Sequence, residues 1–161
     1  MLADIAQTEA VGFAAEEIDQ DAPTRAARLK WVVVVDGSLP AGRAVNAAVC
    51  VAAATSDAVG GILGDAALDA DGTVHPGLPW AGCTVLAADP ATLREVRAKA
   101  AASAGTFVAD MPAAAQHTRV YSEYLGAVGA SPGDALDYCA VSIVGPRNRV
   151  DRIVKRLPLL A

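Results

Sequence analysis

Aromatic side chains are scarce in this chain. Phe, Trp and Tyr make up 4% of 161 residues, although 53% of the sequence is hydrophobic. Its core must therefore be assembled from Ala, Val, Leu and Ile. Cysteine is scarce as well: three residues, at 50, 83 and 139, odd in number, widely spaced and without a C-x-x-C pair. That pattern argues against a disulfide framework and a structural zinc site, and for a reducing, cytoplasmic compartment. No basic stretch followed by an apolar one opens the chain, so no secretory signal is expected. Residues 44–64 come nearest to a long hydrophobic run, but Asn46, Thr55, Ser56 and Asp57 interrupt them. Alanine also supplies little transfer energy, which argues against a membrane span. Neither a G-x-S-x-G nor a phosphate-binding P-loop is present, which argues against serine-hydrolase and NTPase chemistry; no cofactor or metal is expected.

Net negative charge is confined to one end. Residues 1–22 hold six acidic groups and no basic one, whereas residues 23–161 hold 13 basic and 12 acidic groups. The expected organisation is an acidic extension over 1–22 followed by one domain over 23–161, a size that buries a substantial core. A near-neutral domain lacks the footprint of a general nucleic-acid binder. The local exception is the basic set Arg147, Arg149, Arg152, Lys155 and Arg156, which offers at most a weak contact with an anionic partner. Arginine outnumbers lysine ten to three and alanine abounds, a bias that a GC-rich bacterial genome produces.

Lys30 to Ala54 organises the rest. Val32 to Val35 is a β-branched run too short for a helix and wholly apolar, hence a central strand covered on both faces. Asp36-Gly37-Ser38 ends it, and Pro40 suits the first turn of a helix running from Ala41 to about Thr55. That helix is small or apolar at almost every position, so the expectation is that it is covered on most of its circumference. Residues 2–19 are expected to form a helix docked on the domain or a solvated tail. Their charge invites packing against the basic last helix, with Phe13 and Ile18 supplying the apolar contacts.

Further along, 60–77 is turn-rich, with Asp69-Ala70-Asp71-Gly72 a plain Asp-Gly turn and His75 on a loop. Strands are expected at 83–88, 106–109 and 138–144. Helices are expected at 90–103, where Asp89 is the N-cap, at 113–128 and from Gly145-Pro146 to about Arg156. The resulting order predicts an α/β fold, a roughly four-stranded mixed sheet with helices on both faces. An Ala- and Val-rich chain with an apolar helix further suggests a homodimer.

Three stretches carry a family resemblance: L-P-A-G-R-A-V-N-A-A (39–48), G-D-A-A-L-D-A-D-G-T-V-H-P-G (64–77) and the Gly145-Pro146 ending. Together they resemble the uncharacterised bacterial family called domain of unknown function 2000, over roughly residues 29–160. The opening strand-turn-helix and the ending also resemble the type II peptidyl-tRNA hydrolase fold. The resemblance implies that hydrolase's layered architecture, yet its lysine, glutamine and histidine fall here on Val45, Val49 and Ala52. The family's acidic residue after a later strand is matched most nearly by Asp110, with Met111-Pro112 in place of Ala-Gly.

From the residues themselves, Asn46 stands in an apolar helix and needs a partner, either a loop backbone or a ligand. Asp36 ends the first strand, as a turn residue or as a functional group at the sheet's carboxyl edge. Cys50 and Cys139 lie in apolar runs and are expected to be buried and structural rather than paired with His75 or His117. The leading expectation is a binding protein, for a small molecule or a protein partner, without the hydrolase's catalytic set. Its candidate contacts are Asp36, Asn46, Asp71 and His75. The alternative is a divergent hydrolase using Asp110, Asn46 and His75 on peptidyl-tRNA or another amide or ester.

Overall fold

A computed structural model describes residues 10–161. Its framework is a four-stranded sheet in the order Thr84–Ala88 (β4), Leu29–Asp36 (β1), Tyr138–Pro146 (β6), Phe107–Pro112 (β5). A separate hairpin pairs β2 (Ala67–Leu68) with β3 (Val74–His75). β1 runs parallel to β4 and antiparallel to β6, and β5 is antiparallel to β6. The sheet is mixed, as expected.

Val32 to Val35 lie at its centre, none more than 2% exposed. Burying each valine contributes roughly 1.5–3 kcal/mol, so this run alone fixes the middle of the fold. Side chains alternate across the sheet. Trp31, Val33 and Val35 pack with Ala44, Ala47 and Val51 of α1 (Ala41–Ala58). Val32 and Val34 pack on the other face with Leu93, Val96 and Ala100 of α2 (Pro90–Ala101) and Val150 of α4 (Arg147–Ile153). Helices therefore cover both faces. α2 begins as its sequence predicts, the Asp89 carboxylate accepting from the Thr92 N–H at 2.8 Å. Beyond α4, the backbone from Pro158 to Leu160 bonds to Val85 and Ala87 of β4.

A polar chain crosses the α1 side of the core. Trp31 Nε1 donates to Ser142 Oγ at 2.8 Å, and Ser142 Oγ lies 2.7 Å from Thr55 Oγ1, which donates to the Val51 carbonyl at 2.7 Å. Both hydroxyls are fully buried.

Several expectations require correction. Residues 10–19 are not helical: they are extended, with a 3-10 turn at Ala15–Glu17. Residues 2–9 of the expected helix lie outside the described residues. Tertiary partners displace the helix here. Phe13 N–H bonds to Gly60, and Glu17 takes Arg28 in an ion pair. Gly12, where a side chain would meet the Gly60 backbone at 3.0 Å, allows that approach. Phe13 also stacks on Trp80, with ring centroids 4.8 Å apart. The described part of the extension thus docks on 60–80, not on α4.

α1 is covered along one stripe only, Ala44, Ala47, Val51 and Thr55, while Val45 and Val49 are 59% and 61% exposed. Among the described residues no element covers Val45 and Val49, and singly exposed apolar side chains are ordinary on a protein surface. Helix 113–128 is broken into a 3-10 turn, Ala113–Gln116, and α3 (Tyr121–Gly129). Thr118 Oγ1 caps the turn by donating to the Ala114 carbonyl, and no residue of α3 is buried. Finally, α4 stops at Ile153, well before Arg156, whose φ of 70° ends the helical path.

Candidate functional site

A cleft of about 540 Å³ opens between the outer side of α1, the end of β5 and α3. Cys50, Ala53 and Ala54 form one wall, Asp110 and Met111 the floor, and Val120, Tyr121 and Tyr124 the other wall. The sequence builds it by giving α1 small residues where α3 stands off, and by breaking 113–120 so that α3 does not close on α1. Tyr121 and Tyr124, three residues apart, share one helix face, their centroids 5.4 Å apart. Burial, then the neighbouring Tyr121 and Asp110, raises the Tyr124 hydroxyl above its ordinary range. Most of the surface is apolar, with few polar groups to orient a guest, the usual make-up of a small-molecule pocket.

Asp110 is the expected site residue that belongs to this cleft. It lies within β5, not after it, because the strand continues through Met111 and Pro112. Its carboxylate accepts from Arg97 Nε of α2 at 3.0 Å. Arg97 in turn lies 5.7 Å over the Tyr138 ring. This carboxylate is held in a structural pair and offers no free base to the cleft.

The other candidates lie elsewhere. Asn46 is exposed on α1, where its carbonyl oxygen lies 3.4 Å from Gln116 Nε2. The same amide donates more closely, at 2.9 Å, to the Arg43 carbonyl. Asn46 therefore stands on the rim as part of the contact that holds residues 113–116 against α1. Asp36 is buried and turns onto its own loop, accepting from Ser38 N–H at 2.9 Å and Ser38 Oγ at 2.6 Å. Asp71 and His75 belong to the exposed β2–β3 hairpin. There Asp69 closes the turn, accepting from the N–H groups of Asp71 and Thr73 at 2.9 Å, while His75 Nε2 lies 3.3 Å from its other oxygen. The Thr73 bond first, then His75, holds the Asp69 carboxyl below its usual range. None of Asp36, Asn46, Asp71 and His75 lines the cleft.

Cysteine placement also departs from expectation. Cys139 is buried, and burial raises its thiol, but Cys50 is exposed on the wall of the cleft. Its apolar neighbours in sequence gave no sign of this, since the helix beneath them is covered on one side only. Tyr121 and Tyr124 were legible as an apolar face, and the missing information was that nothing packs on it. Among the described residues, no group of three His, Cys, Asp or Glu side chains is placed to hold a metal ion, and no helix is long and apolar enough to cross a membrane.

Comparison with known proteins bears on the fold and the family. A solved structure of a protein of unknown function from Agrobacterium tumefaciens strain C58 superposes with a TM-score of 0.77 at 19% identity, covering 83% of this chain and 98% of that one. At that identity the likeness shows a shared fold. No curated protein matches the chain. The pattern of the family described as "Protein of unknown function (DUF2000)" matches residues 29–161, the whole sheet with all its helices, and the chain belongs to that family.

Proposed function

We propose that this protein is a binding protein whose ligand is a small, largely apolar molecule held between α1 and α3. The observation that carries the reading is the cleft itself: about 540 Å³, walled by Ala53, Ala54, Val120, Tyr121 and Tyr124, with its one carboxylate committed to Arg97. A pocket of that size and lining holds a ligand by apolar contact and the tyrosine hydroxyls. Among the described residues its walls carry no uncommitted acid–base pair, which favours binding over hydrolysis. The positions matching the type II peptidyl-tRNA hydrolase set, Val45, Val49 and Ala52, supply no polar group in its place.

The reading includes a homodimer. Val45 and Val49 on α1, and Tyr121 and Leu125 on α3, are large apolar side chains left exposed on the two helices that flank the cleft. A second copy covers such a surface when about 800 Å² per partner is buried. The second reading, a divergent amide or ester hydrolase, draws on the presence of Asp110 and Cys50 on one cleft.

The test is mass spectrometry of small molecules retained through native purification, compared with Ala53→Trp, which plugs the cleft from an exposed helix position. A molecule retained by the parent and lost from the variant supports binding. Peptide release from a model peptidyl-tRNA that disappears in Asp110→Ala would instead establish the hydrolase. Light scattering at micromolar concentration reports the dimer, and a monomer mass rejects it.

A further inference from the structure

A second, smaller cleft lies at the opposite side of the sheet, where β1 and β4 begin and β6 ends. It encloses about 300 Å³ and is bounded by Arg25, Lys30 and Arg147, with Thr24 and Thr84 adding hydroxyl groups. Three cations share this wall, and among the described residues no carboxylate lines it. Each is placed by the fold. Lys30 is the second residue of β1, Arg25 sits in the 3-10 turn Thr24–Ala26, and Arg147 opens α4. Arg147 is held in position by donating to the carbonyls of Ala27 at 3.3 Å and Thr24 at 3.1 Å, which uses two of its five N–H donors. Lys30 Nζ reaches Asp151 Oδ1 at 2.6 Å, but that carboxylate's side chain is 49% exposed and stands outside the cleft wall. Arg25 has no hydrogen bond or ion pair among the described residues.

We propose that this cleft binds the phosphate group of a small molecule. Counting Asp151 against the three cations leaves a local charge of +2. A phosphate monoester carries about −1.5 to −2 at pH 7 and three strong acceptor oxygens, which matches both the charge and the donors. Guanidinium groups suit such oxygens through paired donors, while a lysine adds a compact point charge. Cys83, also on the wall, does not cancel this field: desolvation by the protein around it pushes its thiol up to about 12, so it stays protonated although part of the residue is exposed. The space exceeds one phosphate, which leaves room for the group that carries it. This site shares no residue with the cleft between α1 and α3, so either can fail without the other.

The experiment is calorimetric titration of the full chain with inorganic phosphate, with ribose 5-phosphate and with ribose, at ionic strength matched by chloride. Phosphate-dependent binding with a dissociation constant below about 1 mM is expected, and ribose alone gives none. Tighter binding of ribose 5-phosphate than of inorganic phosphate identifies an organic phosphate as the guest, whereas binding of the inorganic ion alone identifies the free anion. Arg25→Gln, a change at an exposed residue with no structural partner among those described, weakens binding about tenfold or more by removing one charge-assisted donor. Lys30→Gln does the same, and raised salt weakens the parent. Absence of any phosphate effect beyond that of chloride overturns the proposal. So does binding that Arg25→Gln and Lys30→Gln leave unchanged while both variants melt as the parent does.

Discussion

Replacing Ser142 by Ala removes one oxygen from the middle of the domain, and the structure sets what that costs. Among the described residues, the hydroxyl of Ser142 is the sole acceptor for the Trp31 indole N–H, at 2.8 Å, and both residues are buried. Thr55 donates to the Val51 carbonyl, so the Ser142 proton goes to Thr55 Oγ1 and the chain of donors runs in one direction. In Ser142→Ala the Thr55 donor keeps its partner and the indole N–H loses its own. An orphaned buried donor costs about 1–3 kcal/mol, while the volume lost is a single oxygen and adds little. The expected destabilisation is about 2 kcal/mol, which for a domain of this length lowers the melting temperature by about 4–8 °C. Urea unfolding measures it, and the cycle with Trp31→Phe assigns it. In the Phe background the N–H is gone, so Ser142→Ala costs less, and the coupling is about 1 kcal/mol or more. A Ser142→Ala protein within about 0.5 kcal/mol of the parent, or a cycle without coupling, refutes the account.

Two further perturbations test the periphery. Glu17 is drawn down from 4.5 to about 2, first by its hydrogen bond with Arg28 and then by the Ala14 N–H. A lowered folded value means that the pairing stabilises above about pH 4.5 and is lost as pH falls toward about 2. The melting-temperature gap between the parent and Glu17→Gln should therefore be present at neutral pH and close over that acid window, and a constant gap would reject the ion pair as its cause. At Gly77 a Cβ would lie 1.9 Å from the Gly64 carbonyl oxygen. Gly77→Ala must push the two backbones apart, and it should cost about 1–3 kcal/mol and expose 63–79 to limited proteolysis; unchanged cleavage there would contradict the close approach.

The parts of the fold legible in sequence are those where one residue type admits one solution. Val32 to Val35 belong in the middle of a sheet, and Asp89-Pro90 starts a helix through contacts made within four residues. The acid turn at Asp69 to Gly72 is equally local, Gly72 adopting φ 84°. What escaped depends on partners distant in sequence. Ala10 to Asp19 has a helical composition, but Arg28 and Gly60 supply bonds that a helix would forfeit. Alanine is nearly mute about burial, so α1 gave no indication that only one of its sides is covered. The same silence hid the cleft, whose existence depends on α3 standing clear of α1. Asp110 was visible as a carboxylate near the sheet's edge, but Arg97 lies thirteen residues earlier and its pairing needed the fold. The basic cleft was harder still, since Arg25, Lys30 and Arg147 meet only because β6 returns alongside β1.

The backbone bonds from Pro158 and Leu160 to β4 also have a colloidal consequence. β4 is an outermost strand, and an unpaired row of amides and carbonyls on such a strand recruits strands from other molecules. Here the Ala87 N–H and the Val85 carbonyl are occupied by residues 158 and 160, and Leu159 bridges to Leu86. The opposite margin, β5, ends at Pro112 after a register shift, which spoils it as a template. A chain cut after Leu157 would keep its folded centre and lose this hem. Its failure would be self-association by strand addition at β4, with turbidity that grows with concentration while the sheet is still intact.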